Sequence, residues 1–194
     1  MLPLDVWFTR ELQEHQWAVI ARFMYAVSIF GYTPWSVITI PIGALIALWL
    51  AGWRAACYLP FITGVQGVIN LAIKAAIGRP RPVSNLVEVF VPEQGYSFPS
   101  GHVMFYTVFF GFLIFLVLTN VLNRRLRQLL VVVFGGLVLL IGPSRIILGS
   151  HWLSDVTAAY LISTVILVFA IEFYLEYVVP AFKQHALEVG DRKL

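Results

Sequence analysis

The chain has 194 residues, of which 60% are hydrophobic and only 12% charged, with a mean hydropathy of +0.85. That apolar share exceeds what a soluble domain carries and calls for lipid as the solvent. A formal charge of +3, scattered along the chain, is too small to suggest a nucleic-acid partner, and the single cysteine, Cys57, excludes a disulfide framework and a cysteine-based metal site.

In chain order, residues 1–33 come first and differ from the rest. They mix Asp5, Arg10, Glu11, Glu14, His15 and Arg22 with Trp7, Phe8, Leu12, Trp17, Phe23 and Tyr25. That pattern predicts amphipathic helix lying in the membrane interface. The segment lacks the basic start, continuous apolar stretch and small-residue cleavage site of a secretory signal. A sixth crossing over 18–30 is the alternative, but that stretch is short and Arg22 within it needs to snorkel or pair.

Five apolar stretches follow, at 35–52, 55–73, 102–122, 128–144 and 156–171, the last continuing as apolar helix past Glu172. About 20 such residues cross the roughly 30 Å hydrocarbon layer as a helix. The runs are continuous, whereas barrel strands alternate apolar and polar residues, so the expectation is an all-α polytopic bundle. It forms one membrane domain, 1–194, divided into an interfacial segment 1–33, a transmembrane bundle 34–178 and a cytoplasmic tail 179–194.

Two connections carry local signals. Gly78-Arg-Pro-Arg-Pro82 ends a helix, because its prolines remove amide donors and bias the preceding residues away from helix. Pro99-Ser-Gly-His102 places an N-cap residue type and a glycine just ahead of a long apolar run. With five spans, Arg54, then Arg124, Arg125 and Arg127, then Lys183, Arg192 and Lys193 all fall on one face, which positive-inside counting makes cytoplasmic. The opposite face carries the loop 78–99 and the connection around Gly149 and Ser150; in a bacterium it is periplasmic or extracellular.

Polar residues are scarce, yet Lys74, Arg79, Arg81, Ser100, His102, Arg145, His151 and Asp155 all fall at span ends on that opposite face. Any one basic residue alone reads as interfacial snorkelling; their joint placement on the face expected to be poor in basic residues weakens that reading. Lys74 and Arg81 supply positive charge and directional donors for a phosphate. Ser100 and the amides of Gly101 and His102 open a helix whose positive end points at the same anion. His151 and Asp155, spaced i, i+4, read as sharing one helical face, where the carboxylate holds the imidazole in one tautomer for attack on phosphorus. His102 is then the candidate acid for the leaving group. His15 and His185 read as surface groups. A metal site built from the two histidines, Asp155 and Glu88 or Glu93 is opposed by the cations sharing the pocket, so no cofactor is expected.

Three ordered motifs in this region resemble those of the type 2 phosphatidic acid phosphatase superfamily. Lys-x6-Arg-Pro appears as Lys74 through Arg81 and Pro82, Pro-Ser-Gly-His as Pro99 to His102, and Ser-Arg-x5-His-x3-Asp as Ser144-Arg145 with His151 and Asp155. The resemblance implies a phosphohistidine on His151, oriented by Asp155, with His102 as acid and then base, and with Lys74, Arg81, Ser100, Gly101 and Arg145 holding phosphate oxygens. It also implies a membrane lipid phosphate as substrate: phosphatidic acid, phosphatidylglycerol phosphate or undecaprenyl diphosphate. Membrane relatives commonly have six spans, a departure that touches the N-terminus and not the site. Two other functions stay open at this point: phosphotransfer from the same intermediate to an acceptor alcohol, and a non-catalytic lipid-phosphate binder or transporter, which has no need of the two histidines.

Overall fold

The computed structural model describes residues 2–14 and 18–179. His15, His185, Lys183, Arg192, Lys193 and the tail from 180 onward lie outside the described residues. Within them all regular structure is helix, because backbone amides and carbonyls in hydrocarbon must be satisfied inside each segment. The helices are α1 (Pro3–Glu14), α2 (Ala18–Ser28), α3 (Trp35–Ala51), α4 (Trp53–Ile77), α5 (Gly101–Asn120), α6 (Arg124–Ile147) and α7 (Leu153–Phe173). A 3-10 turn at Ile29–Gly31 follows α2, and a π turn at Tyr174–Val178 extends α7.

Helix α5 is the axis of the bundle. It is apolar on every side, and Val103, Met104, Tyr106, Phe109, Phe112, Leu113 and Leu116 are all buried, as expected of a helix without a polar face. Helices α3, α4, α6 and α7 pack around it. Their outer faces show large apolar side chains, among them Leu45, Leu71, Leu139 and Phe169, each more than 60% exposed. Water would penalise that surface and lipid does not, so the chain is an integral membrane protein.

Helices α4, α5, α6 and α7 with its π turn are each long and apolar enough to cross a bilayer. The segment Ala18–Gly31 and helix α3 make a fifth crossing when counted as one span bent by 66°. Helix α2 alone has 11 residues, about 16 Å at 1.5 Å per residue. Its flanks are both tied to the last turns of α6: Gln13 Nε2 donates to the Ile147 carbonyl at 3.0 Å, and Ser28 Oγ lies 2.6 Å from Ser144 Oγ.

The helices outrun the apolar stretches at their polar ends. Helix α4 continues to Ile77 and so carries Lys74 in its last turn, and α6 reaches Ile147 and carries Arg145. Both long cations have apolar stems that continue the helix surface while their heads reach the polar side. At the other end Asn123 caps α6 by accepting from the Leu126 amide at 3.1 Å, and Arg54 donates to the Val178 carbonyl at 2.7 Å.

The N-terminal segment is fastened to the bundle by a buried bond: the Tyr106 hydroxyl donates to the Val27 carbonyl at 2.5 Å. Tyr106→Phe strands that carbonyl, and the expected loss is about 1–3 kcal/mol of stability. An unfolding titration in detergent checks it; an unchanged midpoint means that the bond contributes nothing.

Candidate active site

Every residue assigned to chemistry from the sequence lies at one end of the bundle. Lys74 lies in the last turn of α4, Arg81 in the loop 78–99, Ser100, Gly101 and His102 open α5, Arg145 lies in the last turn of α6, and His151 and Asp155 flank the start of α7. Asn70, one turn before Lys74, donates to the Pro99 carbonyl at 3.2 Å and so ties α4 to the start of α5. Ser100 occupies the N-cap of α5 and is fully buried.

The spacing of His151 and Asp155 suggests one helical face, but the structure differs. His151 stands in the turn ahead of α7, and only Asp155 is helical. Gly149, at φ +68°, reverses the chain after α6, and a side chain there would strike the Glu88 carbonyl. The amides of Ser150 and His151 then donate to the Arg145 carbonyl at 3.0 and 3.2 Å. Asp155, at the third position of α7, accepts the Trp152 amide at 2.9 Å, an N-terminal capping bond that fixes where the helix begins.

Asp155 is thereby locked against His151. Its Oδ2 lies 3.6 Å from His151 Nδ1 and accepts the Ser97 hydroxyl; Ser97 Oγ is itself 3.4 Å from Nδ1. On the far side of the ring, Nε2 lies 3.2 Å from Arg81 Nη1. These partners assign the ring proton to Nδ1 and turn the Nε2 lone pair toward Arg81. Burial pushes the His151 imidazole down to about 4; Asp155 opposes the shift, and Arg81, Arg145 and Lys74 reinforce it. The ring is therefore neutral at physiological pH.

Arg81 and Arg145 converge on one carboxylate. Glu93 Oε2 accepts from Arg81 at 2.9 Å, and its other oxygen is bonded to Arg145. Arg145 is wholly buried and donates also to the Tyr32 hydroxyl at 2.5 Å, with its guanidinium 5.1 Å from the ring centroid. Tyr32 in turn meets His102 edge-on, with centroids 4.5 Å apart. Gly31 lies so close to the His102 imidazole that a Cβ there would overlap it. Lys74 donates to the Tyr96 and Ser97 carbonyls, at 2.5 and 3.4 Å, and so holds the loop that carries Glu93 and Ser97.

Three buried polar atoms in this region have no protein partner: Ser100 Oγ, His102 Nε2 and Arg145 Nε. Buried donors are normally paired, so an unpaired set beside a clamped carboxylate points to an anion as their partner. Among the described residues no three His, Cys, Asp or Glu side chains are grouped as a metal site would require.

Sequence reasoning missed Tyr32, Asn70 and Ser97, weighed Glu93 only as a metal ligand, and gave Asp5 and Arg79 no role in the site. Asn70 left a signal: it is an amide inside an apolar run, on the same helical face as Lys74. The others left none, because each depends on at least one partner remote in the chain.

The model of the PAP2 superfamily matches residues 55–177. A comparison with curated protein sequences finds no match. Among solved structures, the fold is similar to "the first transmembrane PAP2 type phosphatidylglycerolphosphate phosphatase from Bacillus subtilis", with a TM-score of 0.78 and 19% identity, covering 89% of this chain and 85% of that one. It is also similar to Aquifex aeolicus LpxE, with a TM-score of 0.68 and 19% identity, covering 88% of this chain and 96% of that one.

Glu93 competes with any external anion for Arg81 and Arg145. Glu93→Gln is expected to tighten binding of inorganic phosphate about tenfold, the worth of one charge-assisted hydrogen bond. Isothermal titration in detergent reads this, and equal or weaker binding means that the carboxylate does not occupy the anion site.

Proposed function

Because the chain belongs to the PAP2 superfamily and lies in a membrane, we propose that it hydrolyses a phosphomonoester or diphosphate of a membrane lipid, without a metal, through a phosphohistidine on His151. The observation that carries this reading is a buried imidazole whose Nε2 lies 3.2 Å from an arginine that, with a second arginine, already grips a carboxylate.

The steps follow from the geometry. The substrate phosphate takes the place of Glu93 between Arg81 and Arg145, with Ser100 and the first amides of α5 as further donors. His151 Nε2 forms a bond to phosphorus as the bond to the leaving oxygen breaks. Asp155 and Ser97 hold the proton on Nδ1 and stabilise the charge that develops on the ring. His102, which reaches Arg145 through Tyr32, takes up the proton that a monoanionic phosphate brings into the site and, as imidazolium, gives it to the leaving oxygen. Neutral His102 then takes a proton from water, whose oxygen attacks phosphorus; the N–P bond breaks and inorganic phosphate leaves. The fixed cations do the charge neutralisation that metal ions perform in other phosphoryl-transfer sites.

A groove of about 390 Å³, lined by Trp35, Ile38, Ile42, Phe109, Phe110 and Leu137 among others, runs between α3, α5 and α6. Phe30 at its polar end precedes Gly31 and Tyr32, the residues that touch His102. This supports a lipid substrate, with its tail in the groove and its phosphate at the site. The basic residues Arg54, Arg124, Arg125 and Arg127 lie at the opposite end of the bundle, so in a bacterial cytoplasmic membrane the site faces the periplasm or the exterior. The Bacillus subtilis neighbour, titled a phosphatidylglycerolphosphate phosphatase, makes that lipid the first substrate to try, beside phosphatidic acid and undecaprenyl diphosphate.

Purified protein in detergent with a chelator is expected to release phosphate from at least one of these lipids, and His151→Ala to lose at least about 10³-fold in rate. Full activity of the variant, or loss of wild-type activity with chelator, overturns the mechanism; new phosphoesters formed with added alcohols would point to phosphotransfer. Filling the groove with Ile42→Trp is expected to raise KM about tenfold for a long-chain substrate and leave a short-chain phosphate unaffected, and an equal effect on both would remove the groove from the substrate path.

A further inference from the structure

Asp5 is a buried carboxylate in the first helix, far in sequence from any motif, and only 1% exposed. Glu11 and Glu14 on the same helix are exposed, as the polar face of an interfacial helix should be. A carboxylate is kept out of solvent only where it is paired, and Asp5 is paired on both oxygens. Oδ1 accepts the Ser154 amide at 2.9 Å; Oδ2 accepts Arg79 Nη2 at 2.6 Å and the Ser154 hydroxyl at 3.0 Å. Burial acts to raise the Asp5 carboxyl, but the bonds from Ser154 and Arg79 outweigh it and hold the group below the ordinary carboxylate range.

The partners of Asp5 lead directly to the nucleophile. The other terminal nitrogen of Arg79 is bonded to Asp155 Oδ1 and also donates to Ser154 Oγ at 2.7 Å. Ser154 immediately precedes Asp155 in the first turn of α7. An arginine set against Asp155 with no counter-charge of its own would draw the carboxylate toward itself and weaken its hold on His151. Asp5 supplies that counter-charge and, through Ser154, fixes the turn on which Asp155 stands.

We propose that Asp5 is a positioning residue for the nucleophile: by holding Arg79 and Ser154 it sets the place of Asp155 and leaves that carboxylate's charge to His151. The inference rests on the reading of His151 as nucleophile. It makes the N-terminal helix, which carries no family motif, a working part of the site.

Two measurements test it on the full chain in detergent. The first uses no substrate: ring ¹⁵N resonances of histidine-labelled protein, with the His151 signals assigned by their loss in His151→Gln. Asp5→Asn is expected to move the His151 signals and leave those of His15 and His185 in place; unmoved His151 signals overturn the proposal. The second is single-turnover phosphate release, which separates rate constant from amplitude. Asp5→Asn is expected to lower the rate constant about 10- to 100-fold at wild-type amplitude, with Asp5→Glu closer to wild type and less than about a twofold further effect of Asp5→Asn in an Arg79→Gln background. A reduced amplitude at an unchanged rate constant means a merely structural role and overturns the proposal. If the wild type releases phosphate from none of the lipids, the functional reading falls, and the histidine resonances alone decide whether Asp5 acts on His151.

Discussion

Arg145 carries a full positive charge with no exposure to solvent, and much of the polar end of the protein is arranged around that fact. A buried guanidinium is stable only with a counter-charge and acceptors for its donors. Glu93 supplies the charge, which draws the loop 78–99 over the end of the bundle; Tyr32 supplies an acceptor and a ring face, which draws in the chain between α2 and α3. Once these are in place, Arg81 shares Glu93 and comes to face His151, while Tyr32 comes to face His102. The two histidines thus reach the arginine pair through different members, His151 through Arg81 and His102 through the Tyr32 ring.

The energetics of the site are a tension between satisfied and unsatisfied groups. Asp155 and His151 are paired so fully that their geometry is fixed before anything binds. Ser100 Oγ, His102 Nε2 and Arg145 Nε are buried and unpaired, a standing cost of about 1–3 kcal/mol for each neutral group. A site that is rigid around His151 and has unpaired polar atoms around Arg145 favours whatever completes the second without disturbing the first, which is the arrangement that preorganised catalysis requires.

The sequence made the bundle legible because lipid imposes a single rule, continuous apolar helix, and the stretches at 55–73, 102–122 and 128–144 obey it. Their ends were less legible, since Lys74 and Arg145 look like terminators by charge and yet sit in helical turns. The motif residues were legible by type and spacing, and they lie together at one end of the bundle. What the spacing concealed was that His151 precedes its helix, because a turn at Gly149 and a cap at Asp155 bring the pair together as well as an i, i+4 helical face does. Tyr32, Glu93 and Ser97 were not legible as site residues, since each has a partner in the site at least 52 residues away and no local pattern announces such a partner.

The chain of bonds from Asp5 to Arg79 to Asp155 spans sequence separations of 74 and 76 residues, so it joins the first described helix to the last. At a synthesis rate of about 5–20 residues per second, α7 follows α1 by roughly 8–30 s. During that interval α1 has no Arg79 and then no α7 to bind, and the half-built anion site lacks both its imidazole and the carboxylate behind it. Assembly is thus self-timed: the polar end is complete only when the last helix has joined the bundle.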